Sequence, residues 1–149
     1  MTDFSSLTIH PYTSVGPIKF GMAPDQVVSA AGLPDQVDKN HVGARVDFYG
    51  PINVGYSNIA LPTVNHVGGG KQATSATIRD VSLFLSPPEN VLDLLRGLDS
   101  SPYLYLGFVV FLELGITLTG FHDADEDQLA FSAFPRGAWD HRIPKMQRF

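Results

Sequence analysis

Two kinds of hydrophobic periodicity alternate along the chain and predict its elements. At Pro24-Asp25-Gln26-Val27-Val28-Ser29-Ala30-Ala31 apolar and small residues fall at helical spacing. Proline suits the first position of a helix, where no N–H is needed. Gly32 and Pro34 then stop it, through a permissive backbone and a residue that cannot continue the helix. A second helix is predicted from Pro88, with Val91, Leu94, Leu95 and Leu98 as its buried stripe. Ser86-Pro87-Pro88-Glu89 reads as its capping box, Ser86 accepting from the Glu89 N–H. Ala23 stands where the first helix would need a capping side chain, so that helix is expected to be the weaker.

After each helix the period drops to two. Val46 and Phe48, then Ile52, Val54 and Tyr56, predict a hairpin turning at Gly50-Pro51. The second set runs Phe108–Leu112, turns near Glu113–Gly115 and returns along Ile116–Phe121. Third strands are predicted at Ile78–Leu85 and Gln128–Phe134. The two sets align. Pro24–Ala31 matches Pro88–Leu95 at an offset of 64 residues, and the same offset pairs Val46, Phe48, Ile52 and Val54 with Val110, Leu112, Ile116 and Leu118. The offset then falls to 48, leaving an extra loop at roughly 58–74 in the first half. The expectation is an α+β domain over residues 1–149, built of two tandem αβββ-like units (about 16–86 and 86–140). These would form one antiparallel sheet with the helices packed on one face, followed by a short tail. Val91, Leu94, Leu95, Phe48, Ile52, Leu83, Leu112, Ile116 and Phe131 are the expected core.

Composition narrows the class. The chain has 149 residues, no cysteine, and 15 acids against 10 Lys and Arg, for a net charge of −5. The absence of cysteine removes disulfides, thiolate metal sites and a cysteine nucleophile. An acidic balance argues against nucleic acid as a partner, because phosphates need neutralising cations. No membrane span is expected, since the most apolar run, Tyr103–Thr119, is short and contains Glu113. The opening Met1-Thr2-Asp3 carries an acid where a signal peptide is basic, so a cytoplasmic location is expected.

Few polar groups form a constellation. Gly68-Gly69-Gly70-Lys71 lacks the leading glycine and the following Ser/Thr of a phosphate loop, and reads as a flexible loop. His122-Asp123-Ala124-Asp125-Glu126-Asp127 starts like a calcium loop, but has Gln128 at the turn glycine and Phe134 at the closing glutamate. His10, His41, His66, His122 and His141 are scattered without metal-ligand spacing. Asp80 and Glu113 lie at strand ends or turns. Arg142, Lys145 and Arg148 make a basic tail too short for a nucleic-acid site, with Trp139 as its anchor. No catalytic residue, metal or cofactor is expected.

Gly16-Pro17-Ile18-Lys19-Phe20-Gly21-Met22, then Val27 and Gly32-Leu33-Pro34, resembles the opening of small bacterial proteins of the immunity type. Phe111-Leu112-Glu113-Leu114-Gly115-Ile116 and Gly137-Ala138-Trp139-Asp140 are similar to later motifs of that group. The Gly-Met…Val…Gly-x-Pro piece also resembles small outer-membrane assembly lipoproteins and the tandem-repeat β-lactamase-inhibitor proteins, which share a helix-on-sheet unit. Lack of an acceptor cysteine departs from the lipoproteins, and lack of disulfides from the secreted inhibitor. Ala23 departs from the Ser/Thr usual at its position. What the resemblance implies is a non-enzymatic cytoplasmic protein that neutralises a cognate toxin by contact. The alternatives are a small-ligand-binding protein or enzyme with a pocket between helices and sheet, and an assembly module. Asp123, Asp125, Glu126 and Asp127, with His66 and Lys71 of the extra loop, are the expected contact residues for a toxin with a basic active-site cleft.

Overall fold

The computed structural model describes residues 4–149; the acidic start at Met1–Asp3 lies outside them. The elements in order are β1 (Leu7–His10), β2 (Ser14–Val15), β3 (Ile18–Lys19), α1 (Pro24–Ala31), β4 (Gln36–Lys39), β5 (Arg45–Tyr49), β6 (Ile52–Tyr56) and β7 (Val64–Gly70). There follow β8 (Ala76–Ile78), β9 (Val81–Ser82), α2 (Pro88–Leu98), β10 (Tyr103–Tyr105), β11 (Phe108–Phe111), β12 (Ile116–Thr119), β13 (Ala130–Ala133) and β14 (Gln147–Arg148). Two 3-10 turns, Glu126–Gln128 and Asp140–Lys145, interrupt the second half.

The α+β class is as expected, but the strands form two sheets. A small sheet runs β3-β2-β1-β8-β9, with β1 and β8 parallel. A nine-stranded antiparallel sheet runs β14-β10-β11-β12-β13-β7-β6-β5-β4. The first helix is followed by four strands of the large sheet (β4–β7) and the second by five (β10–β14), and the two sets meet at β7 and β13. The expected third strand at 78–85 lies instead in the small sheet, where Arg79 and Asp80 turn β8 into β9 with positive φ. The strand that pairs with β13 is β7, inside the segment read as an extra loop. Its Gly68-Gly69-Gly70 pairs with Ser132, Phe131 and Ala130. Gly68 and Gly69 are there because close neighbours crowd them. A Cβ at Gly69 would sit 2.9 Å from the Pro51 carbonyl and 3.1 Å from the Phe131 ring. Glycine inside a strand marks such close approach.

Alternation along the large sheet puts one face into the core. Tyr49, Ile52, Gly69, Phe131, Leu118 and Val109 lie opposite one another in a row across six strands. The side chains of this row join Leu7, Ile9 and Ile78 of the small sheet, and Val27, Val91 and Leu95 of the helices, in one apolar cluster. Of the expected core, Val91, Leu95, Ile52, Leu83, Ile116 and Phe131 are buried. Leu112 is only half-buried, and Leu94 and Phe48 are exposed. On α2 five apolar residues (Val91, Leu92, Leu94, Leu95 and Leu98) allow two stripes of helical spacing. The helix buries Val91, Leu92 and Leu95, leaving Leu94 and Leu98 outside.

On β5 the inversion has a polar cause. Asp47 faces the core, 0% exposed, because Arg45 Nε lies 2.7 Å from its Oδ1 and the Tyr56 hydroxyl donates to its Oδ2 at 3.1 Å. A paired and hydrogen-bonded carboxylate can be buried, and β5 then turns Phe48 and Val46 outward. The capping box also fails. Pro87 is the N-cap of α2 and makes no side-chain capping bond, so Glu89 stands one position too early for Ser86. The first helix holds half of such a box: the Ala23 N–H donates to Gln26 Oε1 at 2.8 Å.

Candidate functional site

Two surfaces of the large sheet gather the polar groups that the core does not use. The first is the connection from β12 to β13. Asp123, Asp125, Glu126 and Asp127 are all exposed there. Its base is pinned: the Thr119 hydroxyl donates to the Gln128 carbonyl at 2.7 Å, and the Asp125 N–H donates to the Gly120 carbonyl at 3.2 Å. Gly120 has φ +81, and a Cβ there would meet the Asp125 carbonyl at 2.5 Å. The loop leans toward the start of α2, enclosing with Glu89 and His122 a hollow of about 520 Å³.

Five carboxylates thus share one corner, and none forms an ion pair among the described residues. They equal the whole net charge of −5; the other ten acids balance ten Lys and Arg. Lys71 follows Gly70, which pairs with Ala130, so the lysine emerges at the same end of the sheet as the acidic loop. His66 does not. It lies four residues back along β7, about 13 Å at the rise of a strand.

The second surface is the sheet face turned away from the core, and His66 stands on it. Phe48, Asn53, Gly68, Ser132 and Thr117 form one row across this face, and Val46, Gly55 and His66 the next. Nε2 of His66 is 3.0 Å from the Ser132 hydroxyl. The ring lies close over two glycines, for a Cβ at Gly68 would be 3.0 Å from its Cε1 and one at Gly55 3.2 Å from its Cβ. Burial pushes its pKa below the usual 6.5, so the imidazole is neutral at pH 7.

The C-terminal segment is laid on the same face. Trp139 packs against Tyr105 (5.9 Å, edge-on), Phe108 (5.9 Å) and Phe134 (6.0 Å). Arg142 stacks over the Trp139 ring at 5.1 Å. These groups enclose a hollow of about 560 Å³ over Thr117, Ser132 and His66. His41, from the turn after β4, and Leu106, from the turn after β10, line it together. Strands near opposite edges of the sheet contribute to one hollow, so this face curves inward. A second hollow of about 470 Å³ adjoins on the far side of His66, bordered by Asn53, Asn65 and Tyr56.

The acidic loop is legible in the sequence because its carboxylates are contiguous. Arg142 reads there only as part of a basic tail, and Ser132 and Phe108 carry no signal of a site, because six separate segments build the hollow they line. The one available signal was the glycine run before Lys71. Among the described residues no three His, Asp or Glu side chains group to hold a metal ion, and no helix is long and apolar enough to cross a membrane. Comparison of the chain with protein-family models, curated proteins and solved structures gave no match.

Proposed function

We propose that the protein is an immunity-type inhibitor that binds a cognate bacterial toxin and neutralises it by contact, without chemistry of its own. In this reading the chain is two tandem units, each a helix followed by strands of the large sheet, and it acts in the cytoplasm. The motif resemblance at Gly16–Met22 supports the class. The observation that carries the reading is the crowding of five exposed carboxylates, without ion pairs among the described residues, on one corner held by a loop with a pinned base.

Like charges this close repel one another, and a basic cleft relieves the repulsion while mimicry of phosphate excludes a nucleic-acid substrate. The partner is therefore a toxin with a basic active-site cleft, and the contact residues are Asp123, Asp125, Glu126 and Asp127, with Lys71 at the margin. His66 is too far along β7 to join that contact except at a second point. The test is co-expression with any toxin-like product encoded next to this gene. Cells carrying the natural chain should survive. The quadruple variant Asp123→Asn, Asp125→Asn, Glu126→Gln, Asp127→Asn should fold normally and protect poorly. Full protection by that variant would remove the corner from the interface.

A further inference from the structure

The outer-face hollow has a chemistry opposite to that of the acidic corner. Arg142, His41 and His66 line it, and no carboxylate does. Arg142 has no ion pair among the described residues; its guanidinium rests on Trp139. In a chain of net charge −5 the recess thus carries one cation, Arg142, with no acid beside it in the lining. Its walls are aromatic: Tyr105, Phe108 and Phe134 pack on Trp139, the first two edge-on and the third tilted, and all four line the hollow. Its floor is polar, made by the Ser132 hydroxyl and the His66 imidazole.

Such a floor costs stability. Gly55 and Gly68 forgo side chains in the interior of a sheet, where glycine is entropically unfavourable, and the space they leave seats the His66 ring. Leu106 at the lip adopts φ +49 and is 80% exposed, a backbone and a solvation cost together. Nothing in the core uses these features. A concave recess of about 560 Å³ with apolar walls and a few convergent polar groups has the form of a small-molecule site.

The geometry points to a binding site for a small amphipathic anion: a single carboxylate, met by Arg142 at the rim, on a ring-sized apolar body resting in the hollow against Phe108, Phe134 and Trp139. Ser132 and His66 meet a hydroxyl or amide on the inner end of the same ligand. The guanidinium suits the carboxylate because its planar fork offers paired donors. This site lies on the outer face and stands apart from the toxin reading; no toxin enters its test.

Trp139 is the only tryptophan, so its fluorescence reports on this recess directly. The probes are 3-phenylpropanoate, its neutral amide 3-phenylpropanamide, and 3-phenylpropylammonium, all transparent where tryptophan is excited. The expected result is a saturable change in Trp139 emission with the carboxylate, and binding at least about tenfold weaker for the amide, as loss of a charged hydrogen-bond partner requires. Arg142→Gln, at a half-exposed position that leaves the fold intact, should weaken the carboxylate by a similar factor. Asp125→Asn, at the other corner, should leave it unchanged. Backbone amide shifts at His66, Thr117 and Ser132 should saturate together with the emission. The proposal is overturned by any of three results: no saturable response at millimolar carboxylate, equal response to the amide or the ammonium, or unchanged affinity in Arg142→Gln.

Discussion

The acidic loop and the outer-face hollow belong to one sheet yet are built on opposite principles. The loop concentrates charge in five consecutive residues and leaves them in water, so it needs little from the fold beyond a pinned base at Thr119 and Gly120. The hollow concentrates nothing in sequence. It depends on register: Gly68 must face Ser132, and Ser132 must face Thr117, before His66 has a floor to lie on. A contiguous surface tolerates substitution, whereas an assembled one transmits every change in the packing beneath it.

The largest effect should come from beneath the hollow. Phe131 is buried on the inner face directly under Gly69, and Phe131→Ala should cost about 3–5 kcal/mol in urea unfolding through transfer and cavity terms. Leu94→Ala, expected from periodicity to be as severe, should stay within about 0.5 kcal/mol because that side chain is 55% exposed. Gly68→Ala comes next. The added methyl meets both the His66 ring and the Phe131 carbonyl at 3.0 Å, so a loss of about 1–3 kcal/mol from overpacking is expected. The same variant should shift the His66 ring resonances in an NMR spectrum. Unchanged stability and shifts would mean that the ring is not seated on that glycine.

His66 supplies the third comparison, through pH. Burial lowers its pKa in the folded chain, so as pH falls the unfolded chain takes up the proton first. Its contribution to stability is complete above pH 6.5 and is lost progressively below it. His66→Phe should flatten this part of the pH–stability curve, measured by thermal unfolding. A curve as steep as that of the natural chain would assign the dependence elsewhere. The smallest effect belongs to the loop. Neutralising Asp123, Asp125, Glu126 and Asp127 should move stability by no more than about 0.5 kcal/mol, as surface substitutions do.

The same contrast explains what could be read from the sequence. The two helices, the hairpin at Gly50-Pro51 and the strands at Phe108–Phe111 and Ile116–Thr119 are legible because local periodicity and turn residues agree there. β7 is hidden because three glycines imitate a loop, and the reason for Gly68 and Gly69 lies largely in Pro51 and Phe131, far away in sequence. β5 misled for a different reason. Alternation marks two faces but does not say which is inside, and the Arg45–Asp47–Tyr56 network buries the polar one. Ser86 and Glu89 have capping-box spacing, but two prolines set the helix start one residue later. The acidic corner is visible as composition; the nearness of Lys71 follows only from the pairing of β7 with β13, and that of Glu89 only from where α2 begins.

Central to the proposed function is that the carboxylates at 123–127 would steer a basic partner to the molecule, and the most direct test is the association rate with the proposed toxin partner as salt is raised. For the natural chain the rate should be high at low salt and fall steeply with ionic strength, since screening shortens the reach of the charges. The quadruple neutralised variant should associate more slowly at low salt and converge on the natural chain at high salt. Identical rates and identical salt dependence for the two proteins would contradict the account, and the acidic corner would then be only a solvated turn.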